Sequence, residues 1–194
     1  MQARQNAGMS MRLALARRLP ARRVALKWLH WGILPLFIWF LLVTPDDVRP
    51  FGPRAFQAHS TLALIFVTLS LLWFAGLLRR GLASRPGPKL TGRLRVLHRA
   101  LHLVLIWGLF GVALTGFLLG LTSPVLLKAG GFLPIAPPMG WRDLNDLVGL
   151  IHIYEYYVLA ALVGFHALFH IWRHLRLHDN ALRIMAPRIL HRFL

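Results

Sequence analysis

Four stretches of this 194-residue chain are apolar for long enough to decide what it can fold into. They lie near Leu26–Val43, Phe56–Leu78, Val96–Leu121 and Leu147–Trp172. Each reaches or approaches the roughly 18 to 20 apolar residues that a helix needs to cross a bilayer. With 57% apolar and only 15% charged residues, the chain holds more hydrocarbon than a soluble domain of its length could hide. The expected fold is all-α, an integral membrane four-helix bundle. The first stretch follows about 25 Arg-rich residues and ends at Thr44-Pro45-Asp46-Asp47 without a small-residue cleavage pattern, so it reads as a retained helix and not a signal peptide. Cysteine is absent, which excludes disulfides, iron–sulfur clusters, zinc-thiolate sites and cysteine catalysis.

The net charge of +17 is distributed unevenly. Before the first helix stand Arg4, Arg12, Arg17, Arg18, Arg22, Arg23 and Lys27. Between the second and third stand Arg79, Arg80, Arg85, Lys89, Arg93, Arg95 and Arg99. After the fourth stand Arg173, Arg176, Arg183, Arg188 and Arg192. That places 19 of 23 basic residues on one side of a four-helix topology. Arg49, Arg54, Lys128 and Arg142 fall on the other, balanced by Asp46, Asp47, Asp143 and Asp146. The positive-inside rule then puts both termini in the cytoplasm. Residues 1–25 read as a basic N-terminal extension, 26–176 as the membrane domain and 177–194 as a basic tail. Anionic lipid headgroups are the expected partner of this surface; nucleic acid is not, because no stacking aromatics are interleaved with the Arg runs. Arg85-Pro-Gly-Pro-Lys89 breaks the chain between the second and third helices. The long connection from Thr122 to Asp146 is Pro- and Gly-rich, and apolar enough around Val125–Leu127 and Phe132–Ile135 to lie in the interface.

Four histidines, His30, His59, His152 and His166, lie within the apolar stretches. Ionisable side chains in hydrocarbon are expensive and signal function by default. His152 and His166 are 14 residues apart, a rise of roughly 21 Å with the two rings about 40° apart around the helix axis. With the orientation above, His59 and His152 share an outer depth, and His30 and His166 an inner one. Two imidazoles facing across a flat cofactor suit a low-spin b-type haem. Zinc would want three or four ligands in a tetrahedral cluster, and a carboxylate-bridged di-metal site would want several Glu where the membrane part has only Glu155. Two haem b groups are therefore the expected cofactors, with iron ligated by His30 and His166 inside and by His59 and His152 outside. The competing reading of each histidine is a polar group hydrogen-bonded to a neighbouring helix.

His98 and His102, one turn apart at the inner end of the third helix, are candidates for rival inner ligands or for a quinone or proton pocket, or are interfacial residues among Arg95 and Arg99. His170 and His174 continue the stripe from His166 towards the surface and read as solvated or headgroup residues. Arg54 and Arg142 are the candidate partners of outer haem propionates, through bidentate guanidinium contacts; Arg23, Lys27 and Arg99 are the inner counterparts. Gly108, Gly111, Gly116, Gly120 and Gly164 either admit a flat macrocycle or allow close helix packing. Pro35 allows a bend one turn past His30. Trp28, Trp31, Trp141 and Trp172 read as interfacial belt residues.

The ordered set of Lys27-Trp-Leu-His30-Trp31, Gln57-Ala-His59, His102-Leu-Val, Thr115-Gly116, the 14-residue pair His152 and His166, and His178-Asp-Asn-Ala-Leu-Arg-Ile-Met185 resembles the bacterial cytochrome b561 family of four-helix di-haem membrane cytochromes. The resemblance covers about Val24 to Pro187. It implies a bacterial inner-membrane b-type cytochrome passing electrons between a quinone, with ubiquinone the expected substrate, and a partner on one side. The family's axial ligands match His30, His59, His152 and His166. Some relatives oxidise superoxide at the outer face and reduce ubiquinone; others anchor hydrogenases or other dehydrogenases in the membrane. The expected partners are lipid, quinone, a soluble or periplasmic redox protein, and a second copy of the chain in a homodimer. Glu155, one turn after His152, and the Arg-rich N-terminus are not part of the family pattern. A haem-free transporter using His and Glu155 as a proton relay is the reading from a different class.

Overall fold

A computed structural model describes residues 22–186 and 188–193. The N-terminal cations Arg4, Arg12, Arg17 and Arg18 lie outside the described residues. Four long helices form the body: α1 (Arg22–Leu42), α2 (Pro53–Arg80), α3 (Gly92–Thr122) and α4 (Arg142–Trp172). Each is long and apolar enough to cross a membrane. All four start 3 to 5 residues before the apolar runs that announced them, because hydropathy marks the hydrocarbon slab while helices run on into the charged headgroup layer.

The chain's punctuation sets the ends. Gly52, at φ 90°, and Pro53 open α2, and Gly81, at φ 66°, closes it with its N–H on the Leu77 carbonyl. Arg79 and Arg80 occupy the last turn of α2, where cations complement the helix dipole. Helix α1 continues through Pro35. Past α4 the chain winds into a π-helical turn, Arg173–Leu177, then passes His178 and Asn180 in left-handed conformations before a short helix at Ala181–Met185.

The ends of the bundle are tied separately. At one end Arg22 donates to the Gly81 carbonyl, Trp31 Nε1 to the Met185 carbonyl (2.8 Å) and Lys89 Nζ to the Leu177 carbonyl (2.8 Å). The start of α1, the end of α2, the start of α3 and the end of α4 therefore meet at one basic end. At the opposite, loop end, Asn145 Nδ2 bridges the Leu119 carbonyl (2.9 Å) and Thr122 Oγ1 (2.8 Å). There Thr44 donates to Asp47 Oδ2 through both its N–H and its hydroxyl, each at 2.7 Å, and these bonds hold the Asp47 carboxyl below its ordinary pKa.

One departure from the all-α expectation lies in the third connection. Leu127–Ala129 and Leu133–Ala136 pair as an antiparallel hairpin. Gly130 and Gly131 make its turn at φ 63° and 80°, a backbone that side-chain-bearing residues avoid. The Thr61 hydroxyl of α2 accepts from the Gly130 N–H at 3.1 Å and docks the hairpin on the bundle.

The helices pack in sequence order, α3 against α4 most extensively, while α1 and α4 touch over a short length only. Their central contact is specific: the Tyr156 hydroxyl donates to the Phe37 carbonyl at 2.6 Å, with the two rings stacked at 5.0 Å. Ile33, Phe37, Phe66, Val112, Tyr156 and Leu159 form a mid-bundle core drawn from all four helices. Only 11 to 22% of each span's apolar window is buried, so the outward faces are hydrocarbon, the inverse of a water-soluble bundle.

Candidate functional site

The histidines fall into two groups on either side of that core. At the basic end His98 and His102 of α3 meet His166 and His170 of α4. Ring centroids are 4.3 Å apart for His98–His102, 4.8 Å for His102–His166 and 4.5 Å for His166–His170. The residues are spaced i, i+4 on both helices, which stacks them along the facing surfaces. One ring nitrogen each from His98, His102 and His170 lies within 4.8 Å of the others. The ring of His30 on α1 leans on Trp31 and Trp73.

This group is short of hydrogen-bond partners. His30 Nδ1, His98 Nδ1, His166 Nδ1, His170 Nε2 and His174 Nδ1 are all buried with none among the described residues. A buried polar atom without a partner costs roughly 1–3 kcal/mol, and four of these belong to His30, His98, His166 and His170, whose bonding capacity the described residues leave unused. Two rings are partly anchored: His102 Nδ1 bonds the His98 carbonyl at 2.7 Å, and His98 Nε2 faces the Ser84 hydroxyl at 3.3 Å. The sequence reading set His170 aside as a surface residue, yet its ring is packed into the group. The signal was its position four residues after His166, outweighed there by its nearness to the helix end.

At the loop end the two expected partners are bonded to different neighbours. His59, 7% exposed, accepts at Nδ1 from Trp39 Nε1–H of α1 at 3.3 Å, and Phe40 sits edge-on to its ring at 5.0 Å. A cavity of about 490 Å³ opens beside it, lined by Trp39, Val43, Asp47, Val48, Phe51 and Leu62 among others. His152 turns towards α3, where its Nδ1 lies 3.0 Å from Thr115 Oγ1. The same hydroxyl lies 2.8 Å from Glu155 Oε2. A Cβ on Gly116 would meet His152 Cε1 at 2.9 Å, so only glycine lets this imidazole lie on the α3 backbone. Gly108 likewise receives Leu159 and Gly111 faces Glu155, whereas a Cβ on Gly164 would meet open space; the α3 glycines serve helix packing. Trp39 and Thr115 are polar partners that hydropathy alone could not single out.

Neither His59–His152 nor His30–His166 is in ring contact among the described residues. Arg54 and Arg142 are exposed at the loop end, and the described residues give neither an ion pair. At the basic end Arg23 and Arg99 are exposed, while Lys27 reaches the Ala186 carbonyl at 3.5 Å.

Two tiers of imidazoles thus stand on a bundle of four helices long and apolar enough to cross a membrane. No curated protein matches the chain. A family model described as prokaryotic cytochrome b561 matches residues 21–188, from the start of α1 to beyond α4. The chain belongs to the prokaryotic cytochrome b561 family.

Proposed function

We propose that this membrane electron-transfer protein holds two b-type haems, one on His30 and His166 at the basic end and one on His59 and His152 at the loop end, and exchanges electrons with a quinone. The observation that carries this reading is the two-tier arrangement on α4. His152 and His166 lie in separate polar environments about 21 Å apart along the helix, with the Tyr156–Leu159 core between them.

The residues fit such a cofactor. His30 and His166 each keep a buried ring nitrogen without a partner among the described residues, which an iron or a hydrogen-bond acceptor brought with it would satisfy. His152 has its Nδ1 engaged by Thr115, which leaves Nε2 for a metal. His59 fits on one condition: ligation through Nε2 needs that nitrogen free of a proton, so its Nδ1 must take up the proton and release the Trp39 N–H. Held between two such imidazoles, a b-type haem would supply one-electron transfer.

The remaining side chains supply surroundings. His98, His102 and His170 line the basic-end site and are placed to handle protons or a quinone headgroup. Arg54 and Arg142 are free to pair propionates at the loop end. The positive-inside rule makes the basic end cytoplasmic and the loop end the side of an outer donor, superoxide or a redox protein. In a bacterium the host membrane is then the inner one.

Haem quantitation on single variants tests the pairing. His59→Ala and His152→Ala are expected to abolish one and the same haem signal, and His30→Ala and His166→Ala the other, while His102→Ala keeps both. Loss in His30→Ala of the haem that His152→Ala removes would overturn the pairing.

A further inference from the structure

The proposed function leaves Glu155 without a task. A carboxyl group on a membrane-spanning helix is costly, yet Glu155 sits half-buried in the middle of α4, facing Gly111 of α3. Its partner is the Thr115 hydroxyl at 2.8 Å, and that hydroxyl is also 3.0 Å from His152 Nδ1.

One hydroxyl has one proton, which fixes the direction of this chain. Thr115 Oγ1 has three acceptors in range: the Gly111 carbonyl at 3.0 Å, the Val112 carbonyl at 3.3 Å and Glu155 Oε2 at 2.8 Å. The carboxylate is the nearest and the strongest acceptor. With its proton given to Glu155, the hydroxyl can only accept from His152, so the imidazole proton resides on Nδ1 and Nε2 keeps its lone pair.

We propose that Thr115 and Glu155 are positioning residues for His152, a relay that sets its tautomer and lends its ring negative character. The inference rests on His152 being an iron ligand. Hydrogen bonds of this kind fix ligand orientation and raise ligand basicity. A more basic imidazole favours ferric over ferrous iron, so the relay lowers the potential of the haem at the loop end. His59 lacks this support: its Nδ1 meets an N–H donor instead. The two ligands of one haem would then be tuned unequally, His152 being the electron-rich one.

The relay can be cut without unseating the ring. In Glu155→Gln the hydroxyl keeps an amide oxygen and two carbonyls to donate to, so only the charge is lost. In Thr115→Val the His152 ring keeps its seat against Gly116 of α3. Thr115→Ser restores the hydroxyl.

The experiment is a spectroelectrochemical titration of the full-length haem-loaded protein in detergent, with haem content measured in parallel and His152→Ala identifying the loop-end haem. Glu155→Gln and Thr115→Val are expected to raise that haem's potential by about 59 mV, a tenfold change in its ferrous-to-ferric ratio at fixed potential, with the other haem unmoved. Thr115→Ser is expected to titrate as the parent does. Unchanged potentials in both variants, with both haems present, would overturn the relay and leave the two-haem reading intact. A shift in Thr115→Ser as large as in Thr115→Val would overturn it too, since the effect would then be steric. Two haems retained in His152→Ala would overturn the underlying ligand assignment and the relay with it.

Discussion

The same residue type meets opposite hydrogen-bonding fates along this chain. His152 pairs its Nδ1 with the Thr115 hydroxyl, His59 is an acceptor for Trp39, and His30 and His166 each keep an Nδ1 without a partner among the described residues. Only the last two conditions are costly, and they differ. His30 and His166 have a ring nitrogen open to a ligand, whereas His59 already has a competing partner. Ligation at His59 must therefore give up a hydrogen bond worth about 1 kcal/mol net. Trp39→Phe removes the competitor, and haem titrated into the apoprotein is expected to bind the loop-end site as tightly as before or up to roughly fivefold tighter. Weaker binding there would mean that Trp39 supports the bound form. None of these bonds was legible beforehand. The depth of each histidine follows from counting residues along a helix, but its partner depends on how each helix is rotated about its axis. Helices that are apolar on nearly every face carry little sequence information about that rotation.

The long elements were read with little error, because a span of apolar residues is a strong and local signal. Their tethers were not. The hairpin at Leu127–Ala136 announced itself only as Ala129-Gly130-Gly131 within a Pro-rich connection, and apolar residues around it suggested an interfacial loop. The clamp past α4 was equally hidden. Arg173 and Asp179 form a bridge at 2.6 Å with side chains 1% and 2% exposed, and Asp179 Oδ1 also accepts from the Ala181 N–H at 3.0 Å. Arg173 had been counted among surface topology charges, yet it is buried against the second connection beside Gly87. Leaving either charge alone in that setting costs about 3–5 kcal/mol. Asp179→Asn is therefore expected to lower the unfolding midpoint in detergent clearly, and Arg173→Met with Asp179→Leu to recover much of the loss. An unaltered midpoint in Asp179→Asn would show that the buried pair is not a structural clamp.

At the scale of the whole molecule, the bundle is a layered device: a basic end crowded with imidazoles, an apolar waist tied by the Tyr156–Phe37 hydrogen bond, and a loop end with a second pair of imidazoles. The family match spans all three layers. The waist separates His152 from His166 along α4. On the two-haem proposal, each tier then has its own surroundings and need not share a potential with the other. The most direct measurement is haem quantitation with a reduced-minus-oxidised absorbance spectrum on the purified full-length protein. The expected result is close to two b-type haems per chain, with a reduced spectrum that resolves into two components on redox titration. A colourless protein, or a single haem that no loop-end substitution disturbs, would contradict it.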